Sequence, residues 1–561
     1  MRGWKSCRTA WALLGPVLFV GSLGTATAQD RRAELDALER ERTQALRDAQ
    51  THSAPQWLAT PAVSWLPPVA GDTPCFAIDR FELVSDKPSD ARAGLGMFGW
   101  LLQDLGDFEG ACLGPHSLDA LRRNLDARLV NQGYVTSSVS FAPQSLAVGV
   151  LRVSLQLRRV ARVDRRGAAG TIGRNALAIN AGDVLNLRAI EQTLENLARL
   201  PSQTAQFQIE ASHSPDESVV AIATEPARTW RIGAGLDNAA ARDYGRLQAT
   251  AQAVWDAPLG LSDQAAVFLT GTVYNEGGER YQRSAMFSYS IPFGRHLLSV
   301  NTSRSDHARP IQGLTTQFSE NGFDASAQLR WQYTAWRSAS TRWRVWVGAT
   351  QRQSRNAVDD VELVLQRRHT RDADWGLNGW LRFAAGELSV DLDVGIPLRV
   401  GADTDVQLDP PALARTRRVL LTWQQPLSFG AQSMQYETRL AWAGVQNPAS
   451  GADLQNLGSR WSVRGFDAQS FLTGQEQVTW RQDLSFAAFT AALVPGVQMQ
   501  PYFGLDYGRV SFTAPAAVKS GRVLAGAVAG LRWGGLGLSG DLALAAPLHK
   551  PAGFVAAAAV V

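Results

Sequence analysis

The stretch Leu388-Ser389-Val390-Asp391-Leu392-Asp393-Val394 alternates without a break between apolar and polar residues, and that alternation decides the fold. Successive side chains of an extended strand leave opposite faces, so this segment has one apolar face and one that carries two carboxylates. The same period recurs elsewhere: Ala285, Phe287, Tyr289 and Ile291 stand against Ser284, Ser288 and Ser290, and Tyr436, Leu440 and Trp442 against Gln435, Glu437 and Arg439. A soluble sandwich would turn the charged face outward, whereas a membrane barrel would turn it inward. Thirteen of the eighteen tryptophans lie from residue 229 onward, as interfacial aromatic girdles require, and residues 229–561 are read as a transmembrane β-barrel. At roughly twenty residues per strand and connection, this region holds about sixteen antiparallel strands.

The rest of the chain agrees with a membrane destination. Arg2, Lys5 and Arg8 precede the apolar run Ala10 to Val20 and the small-residue site Ala26-Thr27-Ala28, so residues 1–28 are read as a removed signal peptide. The run is too short for a bilayer and is broken by Pro16, which argues against a single-pass anchor. No later stretch is apolar enough for a membrane helix, which leaves a closed barrel as the spanning structure. The net charge of +4 comes from 55 basic residues interleaved with 51 acidic ones; they form no concentrated patch, and no nucleic-acid partner is expected. With 561 residues, 45% hydrophobic and 19% charged, several domains are expected. Cys7 leaves with the signal. The remaining pair, Cys75 and Cys112, most simply forms one disulfide in an oxidising compartment; no histidines stand at ligand spacing, so no metal or cofactor is expected.

Residues 29–50 contain Arg31 to Gln50, dense in Ala, Leu, Glu and Arg, and form a helix with a thin apolar stripe (Leu35, Leu38, Ala45, Leu46). Such a helix either is solvated or plugs a wet lumen. Residues 51–72 carry Pro55, Pro61, Pro67 and Pro68 and read as an extended linker with a reach of about 60 Å at about 3.1 Å per residue. Residues 73–157 and 158–228 then repeat one small α/β plan. The first has strand residues Phe76, Ile78, Phe81 and Leu83, a helix through Leu118, Leu121, Leu125 and Leu129, and a strand within 148–157. The second has Val160 and Val163, an amphipathic helix over 187–200, and strands at Phe207 to Ile209 and Val219 to Ala223.

One loop in the C-terminal region carries Val463-Arg464-Gly465-Phe466, and a later strand carries Phe503-Gly504-Leu505-Asp506-Tyr507-Gly508. An arginine held in a polar lumen needs a carboxylate, because an unpaired charge taken out of water costs several kcal/mol, and Asp506 is the candidate. Together these motifs resemble the outer-membrane transporters of two-partner secretion (TpsB), the filamentous-haemagglutinin and haemolysin transporter family. In the repeats, Pro74-Cys75-Phe76, Cys112-Leu113-Gly114, Gly133-Tyr134-Val135-Thr136 and Leu187-Arg188 through Asn196-Leu197 look like this family's polypeptide-transport-associated (POTRA) domains. The resemblance implies an N-terminal plug helix, two POTRA domains and a sixteen-stranded barrel. It also implies a sixth outward loop folded into the lumen, with Val463, Arg464, Gly465 and Phe466 as its motif and Asp506 and Gly508 on the barrel wall. The final strand, 554–561, departs from the pattern: it is alanine-rich and ends in Val561.

Enzyme signatures are missing from the sequence: there is no His-Glu-x-x-His, no Gly-x-Ser-x-Gly elbow and no phosphate-binding glycine loop. A diffusion porin would not explain two repeats, and a barrel-assembly or autotransporter-assembly factor is the competing reading. The expected function is recognition and outward translocation of a secreted exoprotein bearing an N-terminal secretion domain. Outer-membrane lipid surrounds the barrel, and the barrel-assembly machinery acts as partner during biogenesis.

Overall fold

The computed structural model describes residues 55–58, 65–85, 95–166, 172–240, 242–273, 280–313, 315–398, 414–448, 453–468, 470–491, 494–511, 522–556 and 559–560. The signal peptide (1–28) and the plug helix (29–50) lie outside them.

The first repeat comprises β1 (Phe76–Ala77), β2 (Arg80–Ser85), β3 (Cys112–Leu113), α1 (Pro115–Asn131), β4 (Ser138–Ser140) and β5 (Val150–Gln156). Its sheet has the order β2-β5-β4, while β1 and β3 pair separately. Leu121, Leu125 and Leu129 recur on one face of α1 and are fully buried against Ile78, Leu151, Val153 and Leu155, each burial contributing about 1.5–3 kcal/mol. The short helical segment Leu95–Leu102, which periodicity did not predict, adds Phe98 and Leu101 to the same core. Pro115 starts α1 with its φ preset, but the N-cap position is Gly114, which has no side chain to offer. Asp72, at the end of the linker, caps the helix from outside by accepting the Ser117 N–H at 2.7 Å. Burial pushes the Asp72 carboxyl up, but the hydrogen bonds from Ser117 and the nearby His116 outweigh it and hold the group below its ordinary value.

The second repeat comprises β6 (Arg159–Arg166), α2 (Leu187–Ala198), β7 (Gln203–Ala211) and β8 (Glu217–Pro226), with sheet order β6-β8-β7. Asn186 caps α2 by accepting the Arg188 N–H at 2.7 Å. The apolar face of this helix (Leu187, Ile190, Leu194, Leu197) closes on Val160, Val220 and Ile222. The repeats share their boundary: Leu187 N–H donates to the Gly133 carbonyl at 2.8 Å, Val135 packs into the second core and Val184 into the first.

Among the described residues, eighteen strands form one closed barrel. Two of them, Val361–Glu362 and Phe489–Thr490, are two-residue pieces inside hairpins, which leaves fifteen longer strands and the two-residue Ala559–Val560 as the sixteen staves of the wall. Sequence neighbours pair antiparallel throughout, and the first strand, Trp230–Asp237, closes against the last, Ala559–Val560. Leu329, Val347, Trp375, Trp480, Phe503 and Leu544 are exposed on the outer face, while Asn301, Thr350, Asn378 and Asp391 are buried on the inner one. Not every tryptophan joins a girdle. Trp346 and Trp380 point inward and are buried, and the Arg330 guanidinium lies 3.8 Å above the Trp346 ring.

The strand expected over 554–561 is much shorter. Phe554 lies in a turn, its N–H bonded to the Pro551 carbonyl at 3.2 Å, and strand pairing among the described residues is confined to Ala559–Val560. Phe554 leaves the wall because its ring has an apolar site in the lumen, described below.

The second repeat docks on the barrel turns beside it. Asn175 Nδ2 donates to the Leu261 and Pro292 carbonyls, both at 2.7 Å, Asn196 Nδ2 donates to the Gly294 carbonyl at 2.7 Å, and Ser202 N–H donates to Asp256 at 3.0 Å. At a third turn, Arg337 reaches Glu191 at 3.2 Å and Glu195 at 2.7 Å, and Arg342 also pairs with Glu195. Burial pushes the Glu195 carboxyl up, yet Arg342, Arg337 and Arg344 override it and hold it down at about 2. Because its folded value is depressed, the contribution of Glu195 to the joint is complete above the ordinary carboxylate range and is lost only as the pH falls toward about 2.

The linker is not a free tether where it is described. Leu66 and Val69 bond to α1 and Leu58 bonds to α2, because α1 and α2 present buried polar groups to its backbone.

Cys75 and Cys112 are joined, closing a loop with a sequence separation of 37 and tying the residue before β1 to β3. Reduction should therefore cost the first repeat about 4 kcal/mol through loop entropy in the unfolded state. Scanning calorimetry of the full-length protein in detergent, with and without reductant, should move the early transition down and leave the barrel transition in place.

Candidate functional site

The site is assembled on three neighbouring strands: Glu476–Phe486, Gln498–Ser511 and Val523–Gly535. Alternation sets the contents of its floor. In the central strand Phe503, Leu505 and Tyr507 are exposed outward, so Gly504, Asp506 and Gly508 face the lumen. Register places Arg481 opposite Asp506 on one side and Gly526 opposite it on the other. The inner wall at this point is a carboxylate with bare backbone before it, after it and on one side, at Gly504, Gly508 and Gly526, and Arg481 on the other side.

Loop 447–475, the sixth on the side away from the repeats, folds onto that floor. A short ladder, Gln455–Leu457 against Leu472–Gly474, closes its base. Ser462 Oγ accepts the Gly458 and Ser459 N–H groups at 3.1 Å each, and Val463 N–H bonds back to the Ser459 carbonyl at 2.9 Å. This tight turn delivers Arg464 to the wall. Arg464 Nε and Nη2 donate to Asp506 Oδ2 and Oδ1 at 2.8 and 2.6 Å, and the Arg464 backbone N–H donates to Oδ2 at 2.8 Å. A planar guanidinium matched to both carboxylate oxygens is the strongest charge-assisted geometry proteins use. Arg464 Nη1 lies 2.7 Å from Asp483 Oδ1, and Arg481 Nε lies 3.5 Å from Asp506 Oδ2, so two arginines face two carboxylates. Arg464 is 5% exposed and Asp506 4%.

The residues around Arg464 make this approach possible. Gly465 has φ +99, a backbone region that L side chains disfavour, and it lies against the Ala546 carbonyl. A Cβ at Gly508 would fall 2.5 Å from Leu457 and 2.7 Å from Val463, while one at Gly526 would collide with the Arg464 carbonyl. Val463 and Phe466 are buried with Leu457, Val510, Leu524 and Phe554, the Phe466 and Phe554 rings meeting edge to face at 5.6 Å. The loop also reaches other parts of the wall: Arg460 Nη2 donates to Asn238 Oδ1 at 2.8 Å, Arg246 pairs with Asp467 at 3.0 Å, and Arg368 Nη2 donates to Asp453 at 2.5 Å.

Val463, Arg464, Gly465, Phe466, Asp506 and Gly508 thus come together at one place, while Cys75 and Cys112 lie apart in the first repeat. Sequence reasoning missed Asp483, Arg481, Gly504, Gly526 and Phe554. For Arg481 and Asp483 a signal existed: with Trp480 outward, strand parity turns both inward.

Comparison with known proteins follows from this geometry. Residues 216–533 match the family described as haemolysin secretion/activation protein ShlB/FhaC/HecB, residues 95–156 match the ShlB-type POTRA domain and residues 162–211 a further POTRA domain. The chain belongs to the ShlB/FhaC/HecB family. It is 29% identical to outer membrane transporter CdiB-2 of Burkholderia pseudomallei over 580 residues, covering 96% of each chain. It is also 24% identical to hemolysin transporter protein ShlB of Serratia marcescens, over 86% of this chain and 83% of that one. The solved structure of CdiB from Acinetobacter baumannii shares the fold, with a TM-score of 0.81 at 20% identity over 95% of this chain and 98% of that one. Membership in this two-partner secretion family places the barrel in the bacterial outer membrane and the POTRA domains in the periplasm.

The bare wall can be tested directly. Gly526→Ala should lift the loop off its floor and expose Arg460 and Arg464 to trypsin, with the heat-modifiable mobility of the folded barrel unchanged. Protease resistance equal to that of the parent would show that the loop does not rest on this glycine.

Proposed function

We propose that this chain recognises a large secreted exoprotein through its two POTRA domains and passes it outward through the barrel, with loop 447–475 as an obstruction held by Arg464. The reading rests on one observation above all: a loop carrying a buried, fully paired arginine lies across the inside of a sixteen-stranded barrel. A charge pair of this kind contributes little net stability, whereas breaking one side of it is costly. It is suited to holding the loop in the one resting position from which a passenger can move it productively, so that a loop without the pair is displaced and export is lost.

In this mechanism the unfolded exoprotein presents its N-terminal secretion domain to the POTRA domains, adding strands to sheet edges and burying apolar side chains. The helix 31–50 leaves the lumen, the loop rearranges, and the chain passes through. Folding of the exported β-rich chain outside supplies the driving force, and the work is transport rather than catalysis. Outer-membrane lipid contacts the apolar outer face, and the barrel-assembly machinery inserts the barrel.

Arg464→Ala should strongly reduce passenger in the medium while heat-modifiable barrel in the membrane stays at parental level, because the strands are untouched. Normal export would sink the role assigned to the loop. Deleting residues 31–50 should raise single-channel conductance in planar bilayers and let export continue; unchanged conductance would place that helix outside the lumen.

A further inference from the structure

The linker lies in a groove that reads main chain. Leu66 N–H donates to Asn124 Oδ1 at 2.9 Å, and Asn124 Nδ2 donates to the Leu66 carbonyl at 2.8 Å, so one side-chain amide takes both backbone groups of one residue. Val69 N–H donates to Ser117 Oγ at 3.0 Å. Between these two contacts stand Pro67 and Pro68, which have no N–H to satisfy. Leu66 packs against the first POTRA core. The pattern recurs at the second domain: Leu58 N–H donates to Glu191 Oε1 at 2.9 Å, Arg337 Nη2 donates to the Gln56 carbonyl at 3.1 Å, and Leu58 packs against the second core.

Asn124 is 1% exposed and stands beside Leu125 on the apolar face of α1. A buried amide on such a face is unfavourable unless both of its ends are paired, and the Leu66 backbone pairs both. Contacts of this kind do not distinguish one sequence from another, since every non-proline residue carries the same N–H and C=O. Specificity is left to a few apolar side chains, Leu66 and Trp65 at the first domain and Leu58 at the second. The occupant lies on the surface of the domain: Pro67 and Val69 are exposed, Leu66 is half-buried, and the partly exposed Trp65 ring rests edge-on against Phe108 and under Arg128, so it can leave without opening the core.

Building on the transport reading above, we propose that this groove is a binding site for an extended segment of the exported polypeptide, and that the linker occupies it at rest as an internal competitor. The competitor is covalently attached, so its effective concentration is on the order of millimolar. Short stray peptides lose to it. A long unfolded chain already held at a POTRA sheet edge reaches a comparable local concentration and displaces the linker, placing its own main chain on Asn124 and an apolar side chain in the Leu66 pocket.

The test uses full-length protein in detergent and, as probe, fluorescein-labelled, reduced and carboxymethylated α-lactalbumin, a permanently unfolded chain, with binding followed by anisotropy. Leu66→Gly weakens the competitor and should raise probe affinity about tenfold, the effect of removing one leucine's burial from the linker. Adding Asn124→Leu, which keeps the helix face apolar, should return affinity to the parental level or below; adding Asn124→Asp, which keeps the acceptor and loses the donor, should fall between. Thermal melts of each variant establish that α1 is folded. Affinity unchanged by Leu66→Gly, or raised affinity that survives Asn124→Leu, overturns the proposal. Passenger export measured in the same variants separates the two readings: normal export with unchanged probe affinity removes the groove and leaves transport standing, whereas a parent protein that exports no passenger removes transport whatever the affinity.

Discussion

The loop folded into this barrel is organised around one guanidinium taken out of water. Arg464 arrives on a loop, and desolvating it would be prohibitive without both oxygens of Asp506 on its Nε–Nη2 edge and Asp483 on the third nitrogen. That requirement propagates outward. The wall opposite the loop must be free of side chains, hence Gly504, Gly508 and Gly526 on its inner face. The backbone that follows Arg464 must turn through a left-handed conformation, hence Gly465 at φ +99. An apolar cluster centred on Phe466 then excludes water from the pair and strengthens it by lowering the local dielectric. Phe554 belongs to that cluster, which draws the chain before the last strand away from the wall and leaves the final pairing short.

A second set of charges does different work. Where the second POTRA domain meets the barrel turns, Glu191 and Glu195 face Arg337 and Arg342, and hydrogen bonds from Asn175 and Asn196 to turn carbonyls fix the contact. Polar interfaces of this kind set orientation rather than supply large net stability. Gln56 and Leu58 enter the same network, so the chain leading to residues 31–50 is held at the barrel mouth. The periplasmic domains, the linker and the barrel therefore share one joint.

How much of this could be read in advance depends on range. Period-2 alternation at Leu388 to Val394 gave the barrel and its inward face, because side-chain direction in a strand is a local property. The leucines at 118, 121, 125 and 129 gave α1 for the same reason. Arg464 and Asp506 were legible as a pair because a lumenal charge demands an opposite one. Asp483 was missed although parity turned it inward, since nothing local said the loop would pass over it. Gly526 is one of several small residues in its strand, and its meaning lies in a carbonyl more than sixty positions away. The linker read as a tether because its prolines reported extension correctly, but extension says nothing of the surface an extended chain lies on, and nothing local to Asn124 says that a backbone will pair it.

The central claim is that Arg464 and Asp506 act as one unit in holding the loop. A double-mutant cycle measures this most directly, using Arg464→Ala, Asp506→Ala and the pair together, with the rate of passenger release as readout and heat-modifiable barrel as the folding control. If the pair is the lock, either single change removes it and the second adds nothing, so the double variant should match the more impaired single one, with a coupling of about 0.5–3 kcal/mol. Effects that simply add would mean the two residues act independently, and would contradict the account.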